Sequence, residues 1–288
     1  MAANHERPPM PKTLHFVLNT NCNAWDLPGV EGSPGVCRFC YRESNRVSTD
    51  TTMIDQLLTR LQGRVVRIVF TGGEPLLHDH VGHAVKRAKE LGFIVNLHTN
   101  GLLLQERYHQ LRDYVDVFSL AIDGSSAEMA DWERGKGYYD RFHSNMSLLV
   151  SRQKTVAFNT FVSPHNFANL PGIAAMIYNF STMTPVEYWL ISQYRPINRD
   201  LAAKRRIYSF SPEEFKGAIQ AIEASYPSIS VYSQPTRTYD PYPLRLWLLA
   251  NGVLTCDPGT NSGQNVTVGN CMDEDWSDLM DRVNELYP

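Results

Sequence analysis

Cys22, Cys37 and Cys40 read C-x14-C-x2-C, and they are three of the five cysteines in a chain of 288 residues. A Cys-x2-Cys pair lets two thiolates reach one metal centre from a single turn, while folding must bring in the third. Three thiolates without a nearby fourth form an open set. A structural zinc site takes four closed ligands, and an ordinary electron-transfer cluster takes four cysteines. One reading is an iron–sulfur cluster with one iron free to chelate a ligand. The alternatives are a zinc site completed by a distant histidine and three unrelated thiols. An odd cysteine count also argues against a small disulfide-stapled scaffold and for a reducing compartment.

Some thirty residues on stands Phe70-Thr71-Gly72-Gly73-Glu74-Pro75. Two glycines let a backbone approach a ligand closely, and the adjacent carboxylate suits an amine. Further polar groups recur at regular intervals: His98-Thr99-Asn100-Gly101, Ser119 with Asp123, Glu133-Arg134-Gly135-Lys136-Gly137, and the apolar Val162. Taken singly, each could be a turn or a solvated side chain.

In this order and spacing they resemble the radical S-adenosylmethionine (SAM) superfamily, with the cysteine motif after the first strand and a GGEP motif after the second. The resemblance implies a [4Fe-4S] cluster on Cys22, Cys37 and Cys40, with Phe39 as the aromatic residue before the last cysteine. It implies Gly72, Gly73 and Glu74 at the SAM amino group, and Thr99 and Asn100 at the ribose and carboxylate region. Ser119 and Asp123 would be the polar pair of strand four, Arg134 would meet the SAM carboxylate, and Val162 would pack on the adenine. The implied chemistry is reductive cleavage of SAM to a 5′-deoxyadenosyl radical that takes hydrogen from a small-molecule or peptide substrate. A flavodoxin- or ferredoxin-type electron donor is implied as partner.

The wide first spacing resembles the cluster-loop insertion of some 7-carboxy-7-deazaguanine synthases, locally through Cys22-Asn23-x-Trp25 and Val36-Cys37-Arg38-Phe39-Cys40. An insertion in a loop adds little closure entropy. A longer resemblance runs to viperin-like members, through Thr99 to Tyr108, Tyr114 to Ser119, Arg134 to Gly137, Val156 to Asn159 and Pro185 to Trp189. Viperin-like enzymes hold a nucleoside triphosphate with lysines and arginines on the fifth and sixth strands. Here Asn159, Glu187 and Trp189 occupy that neighbourhood, without the charge-assisted contacts a triphosphate needs.

Three other groups admit blander readings. Asn251 to Cys256 with Val268 to Cys271 looks like the start of an auxiliary-cluster domain, but two cysteines cannot ligate a [4Fe-4S] cluster unaided. The simple reading is a turn and two ordinary thiols. The basic run Arg195, Arg199, Lys204, Arg205 and Arg206 fits a solvated helix face, or a receiver for an anionic substrate or acidic peptide. His78-Asp79-His80 resembles a metal pair but opens a helix.

The elements that must position these groups follow from periodicity. Short apolar, often β-branched runs predict strands at Leu14–Asn19, Val66–Phe70, Ile94–His98, Val117–Ile122, Val156–Val162 and Val186–Ile191. Amphipathic stretches predict helices at Thr52–Leu61, His80–Leu91, Leu104–Leu111, Tyr139–Arg152 and Asn169–Phe180. Such alternation implies right-handed βαβ units and a parallel sheet. The fold class is α/β, a partial (βα)6 barrel with a C-terminal extension. The expected division is a flexible arm over residues 1–12, a barrel core over 13–200 and an extension over 201–288 packed on the barrel. In the extension a helix enters through Ser211-Pro212, a strand lies near Ile229–Tyr232, and a proline-rich stretch runs from Pro235 to Pro243. In parallel barrels the loops after the strands converge on one mouth, which is where the cysteines, GGEP and the other polar groups fall.

The formal charge of −3 gives no general attraction to nucleic acid or anionic lipid. No apolar run reaches the roughly 20 residues of a membrane span, and the N-terminus lacks the apolar core of a secretory signal. The expectation is an oxygen-sensitive cytoplasmic enzyme, an oxidoreductase or lyase, without nucleic-acid or membrane partners.

Overall fold

The computed structural model describes residues 13–24, 37, 40, 47–193, 211–234, 245–256 and 265–286. Phe39, the N-terminal arm, the basic run from Arg195 to Arg206 and the Pro235–Pro243 stretch lie outside the described residues.

Seven parallel strands follow one another in space as in sequence: β1 (Thr13–Asn19), β2 (Arg67–Gly72), β3 (Ile94–Thr99), β4 (Val117–Ala121), β5 (Thr155–Val162), β6 (Val186–Gln193) and β7 (Val231–Gln234). The connecting helices are α1 (Thr51–Leu61), α2 (Val81–Glu90), α3 (Leu104–Leu111), α4 (Ala127–Arg134), α5 (Tyr138–Ser151), α6 (Leu170–Ser181) and α7 (Pro212–Ser225). Their starts carry local signals. Asp50 accepts from the Met53 amide at 2.8 Å to cap α1. Ser211 and Glu214 form a reciprocal capping box on α7. The strands and helices match the sequence expectations to within one or two residues at most ends, the usual uncertainty of element boundaries.

One short helix was not expected. The segment resembling RGxG is the end of α4 and the start of α5: Arg134 is the last residue of α4, and Gly135 (φ +106°) and Gly137 (φ +83°) make the turn between them. Ser126 caps α4 by accepting from the Met129 amide.

After α7 the chain returns to the other edge of the sheet. Strand β8 (Leu246–Leu248) lies parallel to β1, with Leu14 opposite Leu246 and Phe16 opposite Leu248. Strands β9 (Val253–Cys256) and β10 (Val266–Asn270) continue it antiparallel, and helix α8 (Trp276–Leu286) closes the described chain. The result is one sheet of ten strands in the order β10-β9-β8-β1-β2-β3-β4-β5-β6-β7.

Alternate strand residues face opposite ways. Leu14, Phe16 and Leu18 of β1, Ile68 and Phe70 of β2, Phe118 and Leu120 of β4, Phe158 of β5 and Trp189 of β6 belong to the hydrophobic core shared with the helices. The other face carries His15, Asn96, His98, Ser119, Asn159 and Tyr188. These residues meet across the sheet. Arg67 of β2 and Glu187 of β6 form an ion pair at 2.6 Å, and His98 Nε2 of β3 lies 3.1 Å from the Tyr188 hydroxyl of β6. In a flat sheet four strand steps would hold β2 and β6 roughly 19 Å apart. The sheet therefore curls into a partial barrel, and this face is its lumen.

Candidate active site at the barrel mouth

The cysteine loop and the glycine turn are built against each other's backbone. The Gly73 amide donates to the Asn19 carbonyl at 2.9 Å and the Glu74 amide to the Asn21 carbonyl at 2.6 Å. Asn19 Nδ2 returns a bond to the Glu74 carbonyl at 3.0 Å. These contacts fix the backbone that leads into Cys22. On the far side, the Cys40 amide donates to the Cys37 carbonyl at 3.0 Å, the tight turn that Cys-x2-Cys requires.

Glu74 is 1% exposed, and three donors hold its carboxylate: Thr99 Oγ1 at 2.7 Å, the Asn100 amide at 2.7 Å and the Leu76 amide at 2.9 Å. No cationic side chain pairs with it among the described residues. Burial pushes its pKa up to about 7, against the pull of those three donors. Asn100 links this carboxylate to the cysteines, with its Nδ2 3.0 Å from Asn23 Oδ1 and 3.7 Å from Cys22 Sγ. Asn100 therefore touches both Glu74 and the loop of Cys22, while Thr99 touches Glu74.

Arg134 serves the second cysteine. Its Nε donates to Asp123 Oδ2 at 2.5 Å, and its Nη1 lies 3.6 Å from Cys37 Sγ. Asp123 is fully buried, and its other oxygen accepts from the Phe161 amide at 2.7 Å. Its carbonyl accepts from Asn166 Nδ2 at 2.9 Å. Burial raises the Asp123 carboxyl, while the guanidinium beside it holds it down. Arg134 is itself held above its ordinary value by Asp123 and by Cys37, against its burial. Burial pushes the Cys37 thiol up to about 12, with Arg134 opposing and the nearby Cys40 and Cys22 adding to the rise.

Two expected site residues sit elsewhere. Val162 is fully buried in the core, on the helix side of β5; alternation turns the neighbouring Phe161, not Val162, toward the lumen. Ser119 is also fully buried, below the mouth, where it accepts from Asn159 Nδ2 at 2.6 Å. Gly72 and Gly73 make room for backbone: a Cβ on Gly73 would stand 2.1 Å from the Asn21 carbonyl oxygen. His78 is a buried tie, with Nε2 2.7 Å from the Thr49 carbonyl and Nδ1 accepting from the His80 amide. Cys256 and Cys271 are buried, at opposite ends of the β9–β10 pair: Cys256 faces Val266, while the Cys271 amide bonds Gly252.

Sequence reasoning missed Asn166 and the lumen residues His15, Asn96 and Tyr188. A signal existed. Strands buried on both faces of a parallel sheet read as nearly continuous apolar runs, so polar residues at alternate positions of several central strands mark a special interior.

The donor set fits an iron–sulfur centre. Three thiols approach one another at the mouth, two of them within reach of a side-chain donor. Among the described residues no three His, Cys, Asp or Glu side chains are gathered to hold a single metal ion; a cluster, by contrast, takes each thiolate on a different iron atom.

A parallel partial barrel with three thiols and a buried carboxylate over its strand ends defines a class: enzymes that mount a metal centre and its ligand at the barrel mouth. The chain belongs to the radical SAM superfamily, whose sequence profile matches residues 29–177. Members use a [4Fe-4S] cluster and SAM, and these are the cofactors of this enzyme. An uncharacterised protein of Methanocaldococcus jannaschii is 30% identical over 148 residues, 50% of this chain and 50% of that one. The GTP 3′,8-cyclase of Chlorobaculum tepidum is 31% identical over 134 residues, 44% of this chain and 41% of the cyclase. The chain spans about a third to a half of the length of the curated relatives it matches. Among solved structures, Streptococcus suis SuiB bound to SAM superposes with a TM-score of 0.72 at 12% identity, over 94% of this chain and 65% of SuiB. Another SuiB structure contains its precursor peptide SuiA, with a TM-score of 0.70. At that identity the likeness concerns the fold. No helix among the described residues is long and apolar enough to cross a membrane.

Proposed function

We propose that Cys22, Cys37 and Cys40 hold the cluster, and that Glu74, Thr99, Asn100 and Arg134 seat SAM against it. The bound cluster and SAM would supply, on one-electron reduction by a flavodoxin- or ferredoxin-type donor, a 5′-deoxyadenosyl radical that takes hydrogen from a small-molecule or peptide substrate. The observation that carries this reading is Glu74, a buried carboxylate with three neutral donors and no cation among the described residues, tied through Asn100 to Cys22. An ammonium group is the partner this site lacks, and the amino group of SAM provides one. Arg134, fixed by Asp123, presents its guanidinium beside Cys37 where a carboxylate can meet it. Gly72 and Gly73 act through the backbone they let approach, and the closed walls of the lumen shield the reacting atoms from water.

The resemblance to viperin-like members supports a compact substrate, but among the described residues of β5 and β6 their triphosphate contacts have no counterpart. Glu187 is committed to Arg67, and Trp189 is turned into the core with its Nε1 donating to Thr160 at 2.8 Å. The substrate reading stays with a small molecule or a peptide.

The test is anaerobic reconstitution with iron and sulfide, reduction, addition of SAM and mass spectrometry of 5′-deoxyadenosine. The wild-type chain is expected to carry about four irons and to form the product. Cys22→Ala, Cys37→Ala and Cys40→Ala are each expected to abolish it. Glu74→Gln is expected to keep its iron but bind SAM about tenfold or more weakly, the scale of a lost charge-assisted contact. Full SAM binding by Glu74→Gln would remove that residue's assigned role, and a chain that takes up zinc but no iron would overturn the reading.

A further inference from the structure

Beneath the mouth the lumen holds a connected set of side chains from six strands of the barrel and from the extension. Asn159 Nδ2 donates to Ser119 Oγ at 2.6 Å. The Tyr188 hydroxyl faces Ser119, Asn96 and His98, and burial raises its pKa against the first two. Arg67 Nη1 donates to Asn96 Oδ1 at 2.9 Å and to Glu187 at 2.6 Å, so the floor of the set is charge-neutralised. His15 stacks on Trp247 of β8, with ring centroids 4.4 Å apart and planes at 24°, and meets His98 edge-on at 5.7 Å. The return of the chain to β1 thus gives the lumen one of its walls.

Most of this set is bonded, and three buried atoms are not: Asn96 Nδ2, Asn159 Oδ1 and His15 Nδ1. Asn96 is 1% exposed. A buried polar atom without a partner is destabilising, and native interiors leave few of them. Here three occur on one face of the sheet, on β1, β3 and β5. One is a donor, one an acceptor and one either, according to the tautomer. Both histidines are held neutral: burial first, then Arg245 and, for each, one further cation or ring nearby keep their pKa values low, that of His98 near 4.

We propose that this layer is the substrate pocket, and that Asn96, Asn159 and His15 select an uncharged planar group that presents a donor and an acceptor side by side, an amide or lactam edge. The proposal rests on the radical SAM reading of the mouth above it and adds the chemistry of what lies below. An Asn96 N–H meets the carbonyl of such a group, the Asn159 carbonyl oxygen meets its N–H, and Trp247 and His15 make the flat wall. An anionic group would lose its solvation here, and Arg67, the cation within this set, is already neutralised by Glu187, while Arg245 lies near both histidines.

The two natural sources of this edge, a lactam ring and a side-chain carboxamide, are separated by the probes. The reconstituted enzyme with SAM bound is titrated by calorimetry with uracil, 1,3-dimethyluracil and orotate, and with N-acetylasparagine methyl ester against N-acetylaspartate α-methyl ester. The expected result is measurable binding of uracil or of the asparagine derivative, weakened about tenfold or more when the lactam N–H is methylated or the carboxamide replaced by carboxylate. Uracil binding assigns a lactam, and asparagine-derivative binding a carboxamide. Asn96→Leu and Asn159→Leu are expected to weaken the bound probe by a similar factor. Because the methylated and charged probes act on the wild-type protein, the result does not depend on those variants folding. Equal binding within each pair, tighter binding of the anions, or no binding of either neutral probe overturns the proposal. SAM binding is read separately: its absence would sink the mouth assignment, whereas its presence without probe binding would sink only this one.

Discussion

Gly73 shows how tightly the mouth is assembled. A Cβ there would stand 2.1 Å from the Asn21 carbonyl oxygen and 2.6 Å from that of Thr20, both backbone atoms of the segment that delivers Cys22. Gly72 is similarly confined, 2.2 Å from the Asn19 carbonyl oxygen, and its φ of +151° is one that other residues rarely adopt. From sequence, the two glycines looked like room for a ligand; in the structure they are room for the cysteine loop, which in turn places the ligand's metal. Gly73→Ala should therefore displace the Asn21 carbonyl and break the Glu74 amide bond to it. The expected effect is an overpacking loss of about 1–3 kcal/mol together with less iron retained per chain. Denaturant unfolding and an iron assay on the same preparation check it. Full iron loading with an unchanged unfolding midpoint would show that the loop has slack the geometry does not suggest.

At the scale of elements, the mouth depends on a joint far from any ligand. The Thr49 hydroxyl lies 3.1 Å from both the Leu18 and the Ala250 carbonyl oxygens, while the Thr49 carbonyl meets His78 Nε2 at 2.7 Å. One buried residue thus ties the end of β1, the segment returning from the cysteine loop, the turn after β8 and the start of α2. Thr49→Val keeps the shape and removes the hydroxyl, taking that donor from the Ala250 carbonyl while the Leu18 carbonyl keeps the Thr49 amide. It is expected to destabilise the fold by about 1–3 kcal/mol, measured by urea unfolding, and a loss under half of that would mean water replaces the hydroxyl. Such joints were not legible in the sequence, whereas the elements were. The strands through β6 and the helices between them, α4 excepted, announced themselves by apolar period, because each buries one stripe or face in the core. The return of β8 to the free edge of β1 left no such mark: Leu246 to Leu248 is three residues long, and its partner lies more than two hundred positions away. The candidate site could be picked out where it follows a linear motif, as at Cys22, Cys37, Cys40, Glu74 and Asn100. It was illegible where side chains from different strands meet only after the sheet curls, as with Tyr188 and His98, and it misled at Val162, whose side of the strand depends on register.

At the scale of the whole molecule, a curled sheet has an inside as well as a core, and this one sets two neutral histidines beside the Arg67–Glu187 pair. His98 makes that neutrality measurable. It is buried, with Arg245 and Arg67 nearby, and its pKa falls from 6.5 to about 4, burial being the largest cause. In the unfolded chain the ring takes up a proton near pH 6.5, and in the folded protein only near pH 4. Between those values the unfolded state binds more protons, so stability due to His98 is complete above pH 6.5 and is lost as pH falls toward 4. Glu74 works the other way. Its carboxyl keeps its proton in the folded state up to about pH 7, against 4.5 ordinarily, so folding loses stability as pH rises through that interval. The wild-type profile blends the two, and a variant separates them. His98→Gln removes the titrating ring and leaves Glu74 in place. The unfolding free energy of the wild type relative to this variant is expected to fall by on the order of 2 kcal/mol between pH 7 and pH 5. Parallel urea titrations of the two proteins at half-unit pH steps measure the difference. A difference that stays flat with pH would mean that the folded protein protonates His98 as readily as water does, and hence that the curled interior admits charge; a difference that grows as pH falls would reverse the sign and require an acidic partner facing the ring.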